Sequence, residues 1–510
     1  MTGPPAERTD EHFLGRSLLG DASMGEHMVR GSIWAVGWRW TIRFIGLIST
    51  IILARLLTPA DFGLVAMAMV VIGFIEVFSE TGERLALLRL TNPVREHYDA
   101  AWTLQIIIAI VITLVIVASA PLARIYFGDP RVENLIYFLS LRAFFGGFEN
   151  IGVVAFRANL DFSKDFRFGV YQKLITFFLG VVFSLWLRNY WALAIAIVSA
   201  RVISTALSYR LHPFRPRISF ERMGDILSFS LWTLLTQIGD FLSNKLDEFA
   251  VGGYAGTTSM GNYAVASDFA AAPTVELVVP MTRGLFPVYS HFQADRARLR
   301  NAYVKVLSVV ATLAIPTSIG VSLVAHDLVE VVLGPKWQAA ASLIVWLAIG
   351  SAGVGLTDGV LTIFAVVGRP KISSTIVGLR TFFLAPAIAF GGYYAGIEGI
   401  AMARAFIYIA SLPILFYAIR AAIPLYGKDI LAQLWRPLVA GLIMAAAVEG
   451  LHSPALGLAV LRLAMDVLLG AAVFMAADLL LWRMSGRPEG VEQIFVDQAL
   501  NLMPRLRQRT

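Results

Sequence analysis

Apolar runs of roughly twenty residues recur along this chain from Ile33 to Leu481, separated by short polar connections. At ~1.5 Å per residue, such a run is long enough to cross a bilayer as a helix. The pattern predicts helices over 31–57, 61–83, 100–125, 132–158, 169–187, 190–211, 224–252, 258–283, 301–325, 337–367, 371–394, 397–423, 432–451 and 456–483. The length of 337–367 predicts a tilt or a kink. Pro273 and Pro280 predict a bend in the eighth helix, because proline removes a backbone donor. The expected fold class is an all-α polytopic membrane protein of about fourteen transmembrane helices. No stretch between the runs is long enough to fold as a separate soluble domain.

Charge sorts the connections into two classes. An even number of spans puts both termini on one side. That side receives Arg84, Arg89 and Arg95; Arg210, Arg215, Arg217 and Arg222; Arg296, Arg298 and Arg300; and a basic tail from Arg487. The opposite side holds only Arg55, Arg124, Arg131, Arg188 and Lys336. Excess Lys and Arg marks the cytoplasmic face, so both termini are expected there. The far-side connections, such as Thr58–Ala60 and Ala255–Thr257, are too short for an external domain.

Composition agrees with lipid as the solvent: 57% of residues are hydrophobic and 15% charged, against roughly 25% charged in soluble domains. The net charge of +7 sits mainly in the inner connections, which argues against a nucleic-acid partner and for membrane lipids. With no cysteine, disulfides, thiolate metal sites and cysteine nucleophiles are excluded. The first thirty residues lack an apolar core followed by a small-residue cleavage site, so the first apolar segment reads as a retained helix.

A shift of 198 residues lays Leu57–Ala66 over Ala255–Ala264, two tight turns that each follow a long outward helix. A second echo pairs Pro121–Gly128 with Asp327–Gly334. Six spans per copy make these parallel repeats, an architecture of alternating-access transporters. The expected organisation is a cytoplasmic N-terminal segment (1–30), a six-helix N-lobe (31–211), a cytoplasmic connection (212–223), a pseudo-symmetric six-helix C-lobe (224–423), two additional helices (424–483) and a cytoplasmic basic tail (484–510).

Ionisable residues inside spans carry the functional signal, since each costs at least ~2.5–3.5 kcal/mol to insert. Arg39 and Arg43 share one face of the first helix with Ser32, Gly46 and Thr50. They lie roughly 12 and 18 Å from the inner edge at ~1.5 Å per residue. Guanidinium groups there suit a phosphate-bearing head group; pairing with Glu76 or Glu80 is the structural alternative. The seventh helix carries Thr233, Thr236, Gln237, Asp240, Ser243, Asn244 and Asp247 along one stripe. That stripe predicts a water-filled polar cavity, with a polar helix–helix contact, Lys245 and Glu248 as paired partners, as the rival reading. Asp268 and Glu276 fall on one face of the eighth helix and extend the polar lining. Asp240, Asp247, Asp268 and Asp358 are candidates for Na⁺ or H⁺ coupling, because carboxylates ligate hard cations. For Arg142, Glu149, Lys173, Arg201, Arg380, Arg404, Asp466 and Asp478 structural pairing is expected. HExxH, Walker A and Cys/His signatures are missing. No catalytic residue, metal site or cofactor is therefore expected, and transport must draw on an ion gradient, the membrane potential or the substrate gradient.

Several stretches together resemble a known family. They are Leu53-Ala54-Arg55-Leu56-Leu57-Thr58-Pro59-Ala60-Asp61-Phe62-Gly63, Phe78-Ser79-Glu80-Thr81-Gly82, Phe156-Arg157-Ala158-Asn159-Leu160-Asp161-Phe162, Asp247 ahead of Gly252–Gly261, Phe286-Pro287-Val288-Tyr289-Ser290 and Leu333-Gly334-Pro335-Lys336-Trp337. Their order is similar to that of the Wzx-like polysaccharide transporters of the multidrug/oligosaccharidyl-lipid/polysaccharide flippase superfamily. Glu83 and Arg84 depart from it, where small residues are usual. The resemblance implies two lobes around a central cavity. It implies a monomer in a bacterial inner membrane that works beside polysaccharide assembly machinery and moves a polyprenyl-diphosphate-linked oligosaccharide to the periplasmic leaflet. Arg39 and Arg43 occupy the place of the family's diphosphate-binding arginines. An ion-coupled antiporter of small cations, like the multidrug and toxin extrusion transporters, is the alternative. An enzyme is not expected, since the outer loops are too short for a catalytic site.

Overall fold

The computed structural model describes residues 41–79, 93–158, 162–226, 231–284, 286–451 and 459–486, with single positions at 87 and 90. Among these residues there are helices and connecting turns and no strand. We label the described helix 41–56 as α1, followed by α2 (Pro59–Glu76), α3 (Arg95–Phe127), α4 (Pro130–Gly147), α5 (Phe162–Leu187) and α6 (Tyr190–Leu211). The segment Leu231–Gly284 is broken at Gly256 into α7 and α8. Next come α9 (Arg296–Leu323) and α10 (Ala339–Val366), then Pro370–Ala418, broken at Ala395 and Gly396 into α11 and α12. Last are α13 (Gly427–Leu451) and α14 (Ala459–Met484).

Nine helices among the described residues are long and apolar enough to cross a membrane. The exposed side chains are themselves apolar: on α3 alone Ile107, Ile110, Val111, Leu114, Leu122 and Ile125 face outward. Contiguous apolar surface of this kind belongs in lipid, and the chain is a multi-pass membrane protein. The full count of fourteen spans rests on the sequence. Only 41–56 of the first expected helix is described, and α4 and the polar α7–α8 segment are not among the nine.

The predicted boundaries shift where a side chain, rather than hydropathy, sets the end of a helix. The second helix, expected over 61–83, starts at Pro59 because Thr58 and Asp61 form a capping box. There the Thr58 hydroxyl accepts from Asp61 N–H at 3.3 Å, and the Asp61 carboxylate accepts from Thr58 N–H at 3.0 Å. The fourth helix, expected over 132–158, stops at Gly147. Asn150, fully buried, then accepts from Gly152 N–H and donates to the Phe214 carbonyl at 2.8 Å. Gln105 of α3 fills the gap by donating to the Gly147 and Glu149 carbonyls at 2.9 and 3.0 Å. Backbone φ/ψ stays helical through Pro273 and Pro280, and the break in that segment is at Gly256 (φ 76°). Gly256 and Gly396 (φ 60°) reverse the chain in the left-handed region open to glycine, with no heavy atom near the absent Cβ. The second echo is also not a structural one. Pro121–Phe127 ends α3 as regular helix, whereas Val329–Leu333 winds wider, the Gly334 N–H reaching the Val329 carbonyl at 2.8 Å.

The α3–α4 turn is capped by charge. Asp129 accepts from Arg131 N–H at 2.9 Å and from its guanidinium at 2.7 Å. These bonds hold the Asp129 carboxyl below the usual carboxylate range. A depressed folded-state value stabilises above the unfolded pKa of about 3.9, and that stability is lost as pH falls through the folded value. Asp129→Asn should therefore lower stability at pH 7 by about 0.5–1 kcal/mol and flatten the loss below about pH 4. Tryptophan-monitored unfolding across pH checks this.

The chain groups into two compact units, Met1–Gly261 and Asn262–Thr510. In the first, α3 packs on α4, α5 on α6, and α2 lies against α3 and α4. In the second, α10 packs on α9 and on the α11–α12 pair, and α13 bridges α9 and α14. Tyr303, Leu307, Val310, Val360 and Phe364 form the centre of this second core.

One feature of the first unit reproduces the sequence repeat. An ideal Cβ on Gly63 would fall on the Thr257 carbonyl and near Gly261 N. One on Gly261 would fall on the Pro59 carbonyl and near Gly63 N. Pro59 maps onto Thr257, and Gly63 onto Gly261, at the shift of 198. The start of α2 and the first turn of α8 thus cross backbone against backbone in a reciprocal contact.

Candidate functional site

The α1 face that carries Arg43 also carries Gly46 and Thr50, whose hydroxyl donates back to the Gly46 carbonyl at 3.1 Å. Gly46 leaves a notch, and the end of the Lys173 side chain fills it: a Cβ there would lie 3.3 Å from Lys173 Cε and 3.4 Å from Nζ. Further along, Leu53 packs over Gly180. Helices α1 and α5 therefore run parallel, and Lys173 meets the face of half-buried Arg43. The sequence names no partner for Lys173. The signal it lacked was the α1–α5 register, which no local pattern encodes. Arg39 and Glu80 lie outside the described residues.

Glu76 is held by α4. Arg142 Nη1 donates to its two carboxylate oxygens at 2.6 and 2.7 Å. Glu149 is buried and bound by Arg201 of α6 at 2.9 Å. Arg142 and Glu149, which stand close enough in sequence to suggest each other, each pair with a different helix. Arg142, Glu149 and Arg201 are in ion pairs, and Glu76, expected to line the cavity or pair with Arg39 or Arg43, is bound by Arg142.

The polar stripe of α7 divides. Asp240 and Asn244 are exposed, Asn244 donating to the Asp240 carbonyl at 2.8 Å. Ser243 and Asp247 are fully buried, and Gln237 is half-buried with its Oε1 lacking a hydrogen-bond partner. Lys245 and Glu248 pair with each other within the helix. Phe241 lies over Gly73, and Phe74 packs against both Phe241 and Phe249, so α7 is seated on α2. The Thr236 and Glu276 side chains lie outside the described set.

Of the coupling candidates, Asp240 and Asp247 belong to the first unit and Asp268 and Asp358 to the second. Asp268 is exposed and Asp358 half-buried. Among the described residues no group of three or more His, Cys, Asp or Glu side chains could hold a metal ion.

Residues 52–342 match the family described as polysaccharide biosynthesis protein. The chain belongs to this family. Its curated relatives include lipopolysaccharide biosynthesis protein WzxC of Escherichia coli K12, 23% identical over 81% of this chain and 85% of the relative. Another is succinoglycan biosynthesis transport protein ExoT of Rhizobium meliloti, 24% identical over 84% of this chain and 88% of the relative. Among solved structures, the lipid II flippase MurJ in an inward closed conformation superposes with a TM-score of 0.75, at 14% identity, over 90% of this chain and all of that one. An inward-facing multidrug resistance MATE family transporter of the MOP superfamily gives 0.57, at 17% identity, over 78% of this chain and 98% of that one. At such identities the likeness is one of fold. The polysaccharide biosynthesis family match takes in Glu76, Lys173 and the α7 stripe; Arg43 precedes it, and α11 and α12 follow it.

Proposed function

We propose that this protein is a flippase that carries a polyprenyl-diphosphate-linked oligosaccharide, an exopolysaccharide, O-antigen or capsule repeat unit, from the cytoplasmic to the periplasmic leaflet of a bacterial inner membrane. Both termini lie in the cytoplasm, and the step is transport rather than catalysis. The observation that carries this reading is the cationic face of α1, where Lys173 closes on the notch beside Arg43. A diphosphate cannot cross hydrocarbon unaided, because desolvating its charges is prohibitive. Guanidinium and ammonium groups placed within the bilayer supply what water would. The names of WzxC and ExoT and the MurJ-like fold support the same reading.

In this mechanism Arg39, Arg43 and Lys173 take the diphosphate while the polyprenyl tail stays in lipid. Alternating access then presents the head group to the outer side. Exposed Asp240, beside Asn244, is the best-placed acid for Na⁺ or H⁺ coupling. That acid is also what favours a cation antiporter as the second reading. Depletion of the protein should trap lipid-linked glycan in the cytoplasmic leaflet. Wild type should release it, Arg39→Ala/Arg43→Ala should export at least about tenfold less, and Lys173→Ala should lose part of the activity. Normal outer-leaflet delivery on depletion would sink the flippase reading.

A further inference from the structure

The second unit holds a cavity of about 610 Å³ among α9, α10 and α13, at the end of α9 away from the basic Arg296, Arg298 and Arg300. Pockets for small ligands fall in the range of roughly 300–1,000 Å³. Leu323 lines it from the end of α9, and Val448 and Glu449 from the last turn of α13. Ile349 lies about 15 Å along α10 from Ala339 at roughly 1.5 Å per residue. The cavity therefore reaches from the helix ends into the span.

Most of its polar lining accepts hydrogen bonds. Asp327 is 8% exposed, and Arg462 of α14 donates to its Oδ1 at 2.8 Å. The Ser322 hydroxyl commits its hydrogen to the Val345 carbonyl at 2.8 Å and presents only lone pairs. Among the described residues, Asp327 Oδ2 and both oxygens of exposed Glu449 accept no hydrogen bond. Arg462 balances Asp327 and reaches Glu330 at 3.5 Å, while Glu449 has no cation partner among the described residues. The cavity is thus rich in acceptors and carries an unbalanced negative charge.

These groups specify the chemistry of an occupant. Acceptors without donors call for a primary ammonium, which brings a positive charge and three N–H groups. His326 also lines the cavity, and its imidazole carries at least one N–H in either protonation state, a donor for an anionic oxygen. The remaining lining is aliphatic and suits hydrocarbon. Leu442 and Ile443 of the same α13 are exposed and apolar, which puts this wall of the cavity beside lipid. Ammonium, phosphate and hydrocarbon occur together in one bilayer component, phosphatidylethanolamine.

We propose that this cavity binds the head group of phosphatidylethanolamine, with the ammonium on Glu449, Ser322 and Asp327 Oδ2 and the phosphate on His326. The bound lipid joins α13 to α9 and α10. The site stands apart from the α1 face and does not depend on the transport reading, because it is defined by equilibrium binding.

The test titrates lipids into the purified full-length protein in detergent and reads bound lipid by native mass spectrometry and stability by thermal unfolding. The probes are phosphatidylethanolamine, its N-methylated derivatives, phosphatidylcholine, phosphatidylglycerol and the tailless head group glycerophosphoethanolamine. The expected result is saturable binding of phosphatidylethanolamine that falls with each N-methyl group. Phosphatidylcholine, with no N–H to donate, should bind at least about tenfold more weakly. Glu449→Gln should weaken phosphatidylethanolamine about tenfold and His326→Ala about threefold, while Glu330→Gln, outside the cavity, should change nothing. Because Glu449 is exposed, lipid-free Glu449→Gln should unfold at the parent's temperature while losing the stabilisation that the lipid gives the parent. The tailless head group should bind at least about tenfold more weakly than the lipid, since the aliphatic lining stays uncovered. Equal binding of phosphatidylcholine, a preference for phosphatidylglycerol, undiminished binding in Glu449→Gln, or a tailless head group that binds as tightly as the lipid would overturn the proposal.

Discussion

Gly63→Ala and Gly261→Ala should each remove several kcal/mol of stability, and the double variant should lose little more than either alone. The reason lies in what the new methyl would strike. At both positions it is a backbone carbonyl, Thr257 in one case and Pro59 in the other. A flexible side chain can rotate away from an added methyl; a capped helix start cannot. Overpacking typically costs 1–3 kcal/mol, and backbone on both sides puts these sites at or above the top of that range. The two glycines share one contact, so their effects should not add. Gly378→Ala is the control. Gly378 sits within α11 with nothing within 4 Å of its Cβ direction, so alanine there should stabilise by about 0.5–1 kcal/mol through helix propensity. Tryptophan-monitored unfolding reads all four variants, and near-additive losses in the double would show that the glycines act separately.

The second large effect is expected at Arg201→Ala. Its partner Glu149 is 4% exposed, and the same guanidinium donates to the Gly146 carbonyl at 3.3 Å. Removing the cation leaves a buried carboxylate, a change that costs about 3–5 kcal/mol when a buried pair is broken. Replacing both partners by apolar residues of similar shape is far milder. Glu149→Leu/Arg201→Met should therefore recover stability to within about 1 kcal/mol of the parent. Failure of the double to recover would show that Glu149 is needed for something other than balancing Arg201.

These two sites show what the chain makes legible before folding and what it does not. The 394/397 boundary predicted from hydropathy falls on the Ala395–Gly396 break, and the α6 range agrees end to end. Both follow from local signals, a glycine in a turn and a capping Asn189. The shift of 198, carried by few identities, turns out to align the two glycines that touch. The fourth helix is misread because Asn150 and Gln105 stop it through hydrogen bonds to α3 and to the chain beyond α6, none of which hydropathy encodes. The charged residues divide in the same way. That Arg142, Glu149 and Arg201 need partners is clear from the cost of burying charge; which partners they take depends on register. Lys173 looks like an isolated charge until α5 is laid along α1. For Arg380 the sequence names no partner, and its guanidinium lies over the Tyr408 ring.

The crossing at Gly63 also has a consequence for biosynthesis. Its partner surface, Thr257 to Gly261, is translated roughly two hundred residues later, about 10–40 s at about 5–20 residues per second. For that interval the start of α2 is a bare, glycine-floored groove in a growing chain, open to the insertion machinery or to an early mispairing. The ribosome thus delivers the two halves of this joint in a fixed order, and an arrest placed before Gly261 would leave the first half waiting.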